Sequence, residues 1–246
     1  MKHYQNEYFE ETIFSTDYFS IAKAIVETYD PKNVVEFGCG PGHLTRALSK
    51  LNVKVDAIDG FSSPDFAAFE NITFQKVDLN NEQEVSEFIK GKSYDLAICT
   101  EVAEHLDPKS SAHLISSLTS CARVVVFSAA IPNQGGHGHI NCQTRSFWHE
   151  LFLKNNFQAV DTIRKKLRDN SNVAIWYKLN IIDYVPVNTT INLNEAIQNL
   201  IASESYNSSL YYEMSDENSK NMAYLNYPLV KQYLALRNVA KKLLKK

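Results

Sequence analysis

The chain has 246 residues, with 25 Lys and Arg against 28 Asp and Glu, a net charge of -3 and 44% hydrophobic side chains. This suits a sizeable core, in one large domain or a domain with an appendage, and supplies no bulk positive field to draw nucleic acid or an acidic surface. Four scattered cysteines, Cys39, Cys99, Cys121 and Cys142, lack metal-ligand and small-scaffold spacing, no apolar leader opens the chain, and no run reaches the roughly 20 apolar residues that span a bilayer. The expectation is a cytoplasmic protein with reduced thiols.

Two hydrophobic periods alternate along the first half. Residues 17–30 carry Phe19, Ala22, Ile25 and Val26 at helical spacing and stop at Pro31; "NVVEF" (33–37) then reads as a buried strand. A helix over 43–51, strands over 53–59 and 72–78, a helix over 82–90, a strand over 94–100, a helix over 108–120 and a strand over 122–129 follow. Strands separated by helices imply right-handed crossovers, hence an α/β fold with a mostly parallel sheet and helices on both faces. The loop "AIPNQGGHGHINCQ" (130–143) breaks the pattern. "TRSFWHELFLKNN" reads as a helix, and "FQAVDTIRKK" and "NVAIWYKLN" read as two late strands. The division is a domain over 1–187 and a C-terminal helical extension over 188–246, closed by the amphipathic, basic "VKQYLALRNVAKKLLKK".

"NVVEFGCGPGHLTRAL" (33–48) places Gly38, Gly40 and Gly42 between a strand and a helix. Such a turn presents backbone N–H groups and a helix N-terminus at the carboxyl edge of the sheet, where open α/β folds bind ligands. A tight turn also uses glycine for purely steric reasons. Three later acids bear on the choice. Asp59 ends the second strand, 23 positions after Glu36, where a carboxylate can accept ribose hydroxyls. Asp78 ends the third strand, with Leu79 as an apolar wall for a flat base, and Glu101 leaves the fourth in "CTEVAEHL".

"VVEFGCGPG", "AIDG", "KVDL" and "YDLAICTEVAEHL" resemble, in order and spacing over residues 30–130, the motifs of class I S-adenosylmethionine-dependent methyltransferases. The resemblance implies a Rossmann-like, seven-stranded sheet of order 3-2-1-4-5-7-6 with the last strand antiparallel. It also implies S-adenosylmethionine as cofactor, with Glu36, Gly38, Gly40 and Gly42 at its methionine end, Asp59 and Gly60 at the ribose, Asp78 and Leu79 at the adenine, Phe61 lining the adenosine pocket and Glu101 near the sulfonium. A dehydrogenase would carry GxGxxG rather than the Gly40-Pro41-Gly42 spacing seen here.

Methyl transfer is an in-line displacement that needs positioning and, for a hydroxyl acceptor, removal of a proton. His105 leaves the fourth strand, while His137 and His139 lie in the loop after the fifth, so these three are the catalytic candidates. E-x-x-E-H followed by H-x-H is similar to the small-RNA 3′-end 2′-O-methyltransferases. That likeness implies Glu101, Glu104, His105 and His139 as ligands of a divalent cation, Mg or Mn. "GGHGHINCQ" also resembles the loop of bacterial glycan- and metabolite-tailoring methyltransferases. The acidic balance favours a small polar acceptor, a sugar or a phosphate-bearing metabolite, over long RNA. Arg145, Arg164, Lys165, Lys166 and Arg168 are candidates for an acceptor phosphate or, alternatively, a solvated charge run. Tyr4, Tyr8 and Phe9 are candidates for a lid, or a simple hydrophobic tether. The readings carried forward are O-methylation of a small metabolite or glycan precursor, metal-dependent RNA ribose methylation, and a nucleoside-binding module without turnover.

Overall fold

The structure, a computed structural model, describes residues 15–132, 134 and 136–189. Helix α1 (Tyr18–Tyr29) starts where the Asp17 carboxylate accepts from the Ser20 backbone N–H at 3.0 Å, an N-cap that satisfies a free donor of the first turn. It ends at left-handed Asp30, ahead of Pro31. β1 (Asn33–Phe37), α2 (His43–Lys50), β2 (Lys54–Asp59), β3 (Ile72–Lys76), α3 (Glu82–Ile89), β4 (Tyr94–Thr100), α4 (Ser111–Cys121) and β5 (Ala122–Ser128) follow, close to the spans read from the sequence. After the loop come α5 (Arg145–Lys154), β6 (Phe157–Ala159), α6 (Ile163–Leu167), α7 (Ile175–Asn180) and β7 (Ile182–Pro186).

The seven strands form one sheet of order β3-β2-β1-β4-β5-β7-β6, parallel except for β7, which runs against both β5 and β6. This is the class I methyltransferase topology that the motifs implied. Successive strand residues face opposite ways. Val35, Ala97, Cys99 and Val125 therefore pack under α3, α4 and α5, while Val34, Leu96, Ile98 and Val126 pack under α1, α2, α6 and α7. Both faces are covered, as a parallel sheet requires.

Two late elements differ from the sequence reading. Within "FQAVDTIRKK" only Phe157–Ala159 is strand; Asp161, at φ 52°, breaks it, and α6 follows with Ile163 and Leu167 both buried one turn apart. "NVAIWYKLN" holds helix α7, and the final strand begins two residues after it. The physical reason is tertiary. Tyr177, with the partly buried Trp176, packs into the cluster under α1 and α2, and the last turn closes with the Ile181 N–H on the Tyr177 carbonyl at 3.0 Å, so packing overrides the β-propensity of Ile, Trp and Tyr. The expected extension over 188–246, the Tyr4, Tyr8 and Phe9 segment and the terminal basic helix lie outside the described residues, save for 188 and 189. Among the described residues no helix is long and apolar enough to cross a membrane, and all four cysteines are free.

Candidate active site

Parallel pairing brings the carboxyl ends of β1, β2, β4 and β5 to one edge: Glu36 stands opposite Ala57 and Ile98, and Thr100 opposite Ser128. The Gly-rich turn leaves β1 there. Gly38, Gly40 and Gly42 all adopt positive φ, at 76°, 53° and 80°, a region that side chains enter at a cost. Two of them also have protein neighbours that forbid a Cβ. At Gly38 it would lie 2.5 Å from Val102 Cγ2, and at Gly42 2.3 Å from the Phe66 ring. Side chains are excluded from the turn so that the β4 exit and Phe66 can close upon it.

Asp59, 8% exposed, ties this edge together. Its Oδ1 accepts from the backbone N–H groups of Phe61 (2.7 Å) and Ser62 (2.6 Å), and its Oδ2 from that of Gly40 (2.9 Å). A carboxylate offers about four acceptor sites, so the three N–H bonds leave capacity for a ribose hydroxyl. Gly60 lies against the β3 exit, where a Cβ would be 3.2 Å from Asp78 Cα. Asp78 lies two residues past β3 and accepts from the Asn80 backbone N–H at 2.9 Å. Phe61 is 42% exposed, whereas Leu79 is 4% exposed within the main core and offers the cleft little apolar surface.

Glu36 is buried on β1 and accepts from Thr45 Oγ1 on α2. Burial pushes its carboxyl up to about 8; Thr45 opposes this and the Asp59 charge adds to it. Around it stand Tyr18, stacked on His43 with ring centroids 5.2 Å apart, and Tyr177, edge-on to Tyr18 at 5.9 Å. Burial raises Tyr177, and the Tyr18 and Glu101 charges raise it further. A buried carboxyl held mainly neutral for want of a cation, beside two aromatic rings, fits the ammonium at the methionine end of S-adenosylmethionine.

Glu101 follows β4 with φ 54°, left-handed backbone that costs a non-glycine residue about 1–3 kcal/mol and clusters at functional sites. Its N–H donates to both the carbonyl and the hydroxyl of Ser128, each at 3.0 Å. Burial raises its carboxyl, with Ser128 and Asn180 opposing. Glu104, one turn on, is wholly buried, with the Glu101 side chain and the Ala130 backbone beside its carboxylate and no cation against it among the described residues. Burial lifts it well above the usual carboxylate range, and the Glu101 charge lifts it further.

The loop after β5 is clipped onto this turn. The Glu104 carbonyl accepts from the N–H groups of Ile140 and Asn141, both at 2.9 Å, and the buried Asn141 side chain donates to Ala103 O (3.1 Å) and Ser111 Oγ (3.0 Å). This clip sets the rings of His139 and His105 edge to face, 4.8 Å between centroids. Burial lowers both; His105 falls to about 4, with His139 adding to the effect, and His139 falls despite the Gln134 backbone. One donor atom each of Glu104, His105 and His139 lies within 4.8 Å of the others. Glu101, the fourth expected ligand, is outside that group and points its Oε1 to Asn180 at 3.4 Å. His137 is exposed.

Tyr18, Tyr177 and Asn180 carry no sequence signal, because each comes from an element without a motif. Asn141 lies within "GGHGHINCQ" and Gln134 directly before it, and the spacing of that loop does not reveal the buried bonds either one makes. The basic run needs correction. Arg164 is 5% exposed and forks onto Asp161, Nε to Oδ1 at 2.7 Å and Nη2 to Oδ2 at 2.5 Å, with Nη1 on the Leu179 carbonyl at 2.7 Å. It is neither a phosphate ligand nor a solvated charge. Arg145 donates to the same carbonyl at 2.6 Å.

A sequence profile described as a methyltransferase domain matches residues 16–162. No curated protein sequence matches. Among solved structures, 1,6-didemethyltoxoflavin-N1-methyltransferase of Burkholderia thailandensis, with bound S-adenosylhomocysteine, is 16% identical over 72% of this chain and 80% of its own, at TM-score 0.51. Streptomyces venezuelae DesVI is 11% identical over 70% and 93%, also at 0.51. Magnesium protoporphyrin IX methyltransferase of Synechocystis PCC 6803, again with S-adenosylhomocysteine, is 20% identical over 71% and 82%, at 0.49. The first two structures share the fold, and the profile spans more than half of the chain. The chain thus belongs to the methyltransferase-domain family, as a class I S-adenosylmethionine-dependent methyltransferase.

Proposed function

We propose that this enzyme methylates a hydroxyl oxygen of a small polar metabolite or glycan precursor, with His139 as the base. The supporting observation is the His105–His139 pair, held edge to face by the Asn141 clip beside the β4 exit. Burial keeps both imidazoles neutral at pH 7. A ring nitrogen of His139 takes the acceptor's proton as its oxygen bonds to the methyl carbon. The carbon–sulfur bond breaks, and the electron pair stays on sulfur as S-adenosylhomocysteine forms. His105, depressed further, is the poorer base and serves to position His139. Glu36 with the Gly38, Gly40 and Gly42 turn holds the methionine end in this reading, Asp59 and Gly60 the ribose, and Asp78 with Phe61 the adenosine.

In a panel of sugar, nucleotide-sugar and amine acceptors, His139→Ala should lose about 10²- to 10⁴-fold in turnover of the hydroxyl acceptor at unchanged S-adenosylhomocysteine affinity. Full activity in that variant would sink the assignment. Transfer to amines alone would move the proposal to nitrogen, and cofactor binding without turnover on any acceptor would favour a non-catalytic module.

Glu104 favours a second reading. A wholly buried carboxylate set against a second carboxylate and adjoining two neutral imidazoles suits a divalent cation in chemistry and placement. Glu104, His105 and His139 would hold it, and it would lower the pKa of an acceptor hydroxyl, as in metal-dependent ribose methylation. In this case Mn or Mg raises the melting temperature of the wild type and not of Glu104→Gln, and chelator abolishes turnover. Identical melting with and without cation, and turnover that survives chelation, would remove this reading.

A further inference from the structure

Asn180 ends α7 directly before β7, with 4% exposure. Its Nδ2 donates to Gln134 Oε1 at 3.0 Å and, more weakly, to Glu101 Oε1 at 3.4 Å. Both partners are oxygens, and Gln134 Oε1 also accepts from the Ile131 N–H at 3.4 Å. The amide orientation is thereby set, since the turned-over form would aim a carbonyl at a carboxylate. Asn180 Oδ1 is left facing away from both, buried and without a partner. Orphaned acceptors of this kind are rare in folded proteins and call for a reason.

Its location suggests one. Glu101 leaves β4 and Ser128 ends β5, neighbouring strands joined at Thr100 and Ser128. Of the two partners of Asn180, Glu101 also acts through its charge on Tyr177 and Tyr18, and both tyrosines feel the Glu36 charge as well. The other partner, Gln134, comes from the loop that carries His139 and also bonds Glu101. Asn180 thus joins the residues fitted to the cofactor's cationic end to the loop fitted to the acceptor.

We propose that Asn180 is a ligand-binding residue whose Oδ1 receives an N–H or O–H donor at the point of methyl transfer. That donor is either the cofactor's own ammonium or the hydroxyl or amine of the acceptor. The proposal rests on the S-adenosylmethionine site and is independent of which acceptor is methylated.

Calorimetry with three probes separates the cases. S-adenosylhomocysteine carries the ammonium; sinefungin carries it too and adds an amine where the sulfonium methyl would be; 5′-methylthioadenosine has neither. Asn180→Leu should weaken sinefungin about tenfold or more and leave 5′-methylthioadenosine unchanged. A parallel loss for S-adenosylhomocysteine identifies the ammonium as the donor, and a loss for sinefungin alone identifies the acceptor position. Unchanged affinity for all three overturns the proposal while leaving the cofactor site intact. Equal loss for all three marks a structural role and overturns it, unless Asn180→Asp, which keeps an acceptor oxygen, retains the preference for amine-bearing probes. A wild type that binds none of the three would overturn the cofactor site and this proposal together.

Discussion

If Glu36 holds the cofactor's ammonium as proposed, its protonation links cofactor binding to pH. Burial lifts this carboxyl from its ordinary 4.5 to about 8, so at pH 7 about a tenth of the free protein carries the charge that an ammonium needs. Below pH 8 that fraction falls about tenfold per unit, and the apparent affinity for S-adenosylhomocysteine should fall with it, by about 1.4 kcal/mol per unit. The loss is about 50-fold between pH 8 and 6, since half of the groups are already protonated at pH 8. 5′-Methylthioadenosine, without an ammonium, should show a flat profile over the same range. Titrations near pH 7 in buffers of different ionisation enthalpy should register release of close to one proton on binding. Glu36→Gln should bind S-adenosylhomocysteine weakly at every pH. Stability of the free protein runs the opposite way. A folded pKa above the unfolded one means that the native state holds the extra proton between pH 4.5 and 8. The stabilisation is therefore full below about 4.5 and is lost as pH rises through 8. With ligand absent, Glu36→Gln should outlast the wild type at pH 8.5 in thermal melts. An S-adenosylhomocysteine affinity that is flat from pH 6 to 8.5 would refute the argument, because it would mean that Glu36 is already ionised or faces no cation.

Other substitutions test the frame around that site. Asp59→Ala strands the N–H groups of Gly40, Phe61 and Ser62; urea unfolding should show a loss of about 3–5 kcal/mol along with the loss of cofactor binding. Gly38→Ala adds a Cβ 2.5 Å from Val102 at φ +76° and should cost about 2–4 kcal/mol, of which Val102→Ala in the same chain restores the steric part and not the backbone part. Arg164→Met leaves the buried Asp161 carboxylate unpaired and should cost about 3–5 kcal/mol in the same assay, with S-adenosylhomocysteine affinity unchanged in the folded fraction.

The first five strands and their acids were legible because each signal is local. "NVVEF" followed by glycines, and strand-end acids at Asp59 and Glu101, report a strand's carboxyl end regardless of what packs around it. The late elements were harder to read. Ile, Trp and Tyr favour strands by propensity, and Ile175–Asn180 is helical because Tyr177 and Trp176 pack into a cluster built from distant elements.

The same division runs through the site. Glycine spacing and strand-end acids determined by themselves that a nucleoside cofactor has a place on this sheet, since backbone conformation and charge at a strand end are written in neighbouring residues. Tertiary structure alone decided that Asp59 clamps the glycine turn, that Glu104 is buried beside His105 and His139 while Glu101 turns to Asn180, and that Arg164 is spent on Asp161. Each of these depends on burial and on partners from distant segments. A carboxylate or guanidinium takes its protonation and its role from the groups that replace water around it, and no spacing along the chain records which groups those are.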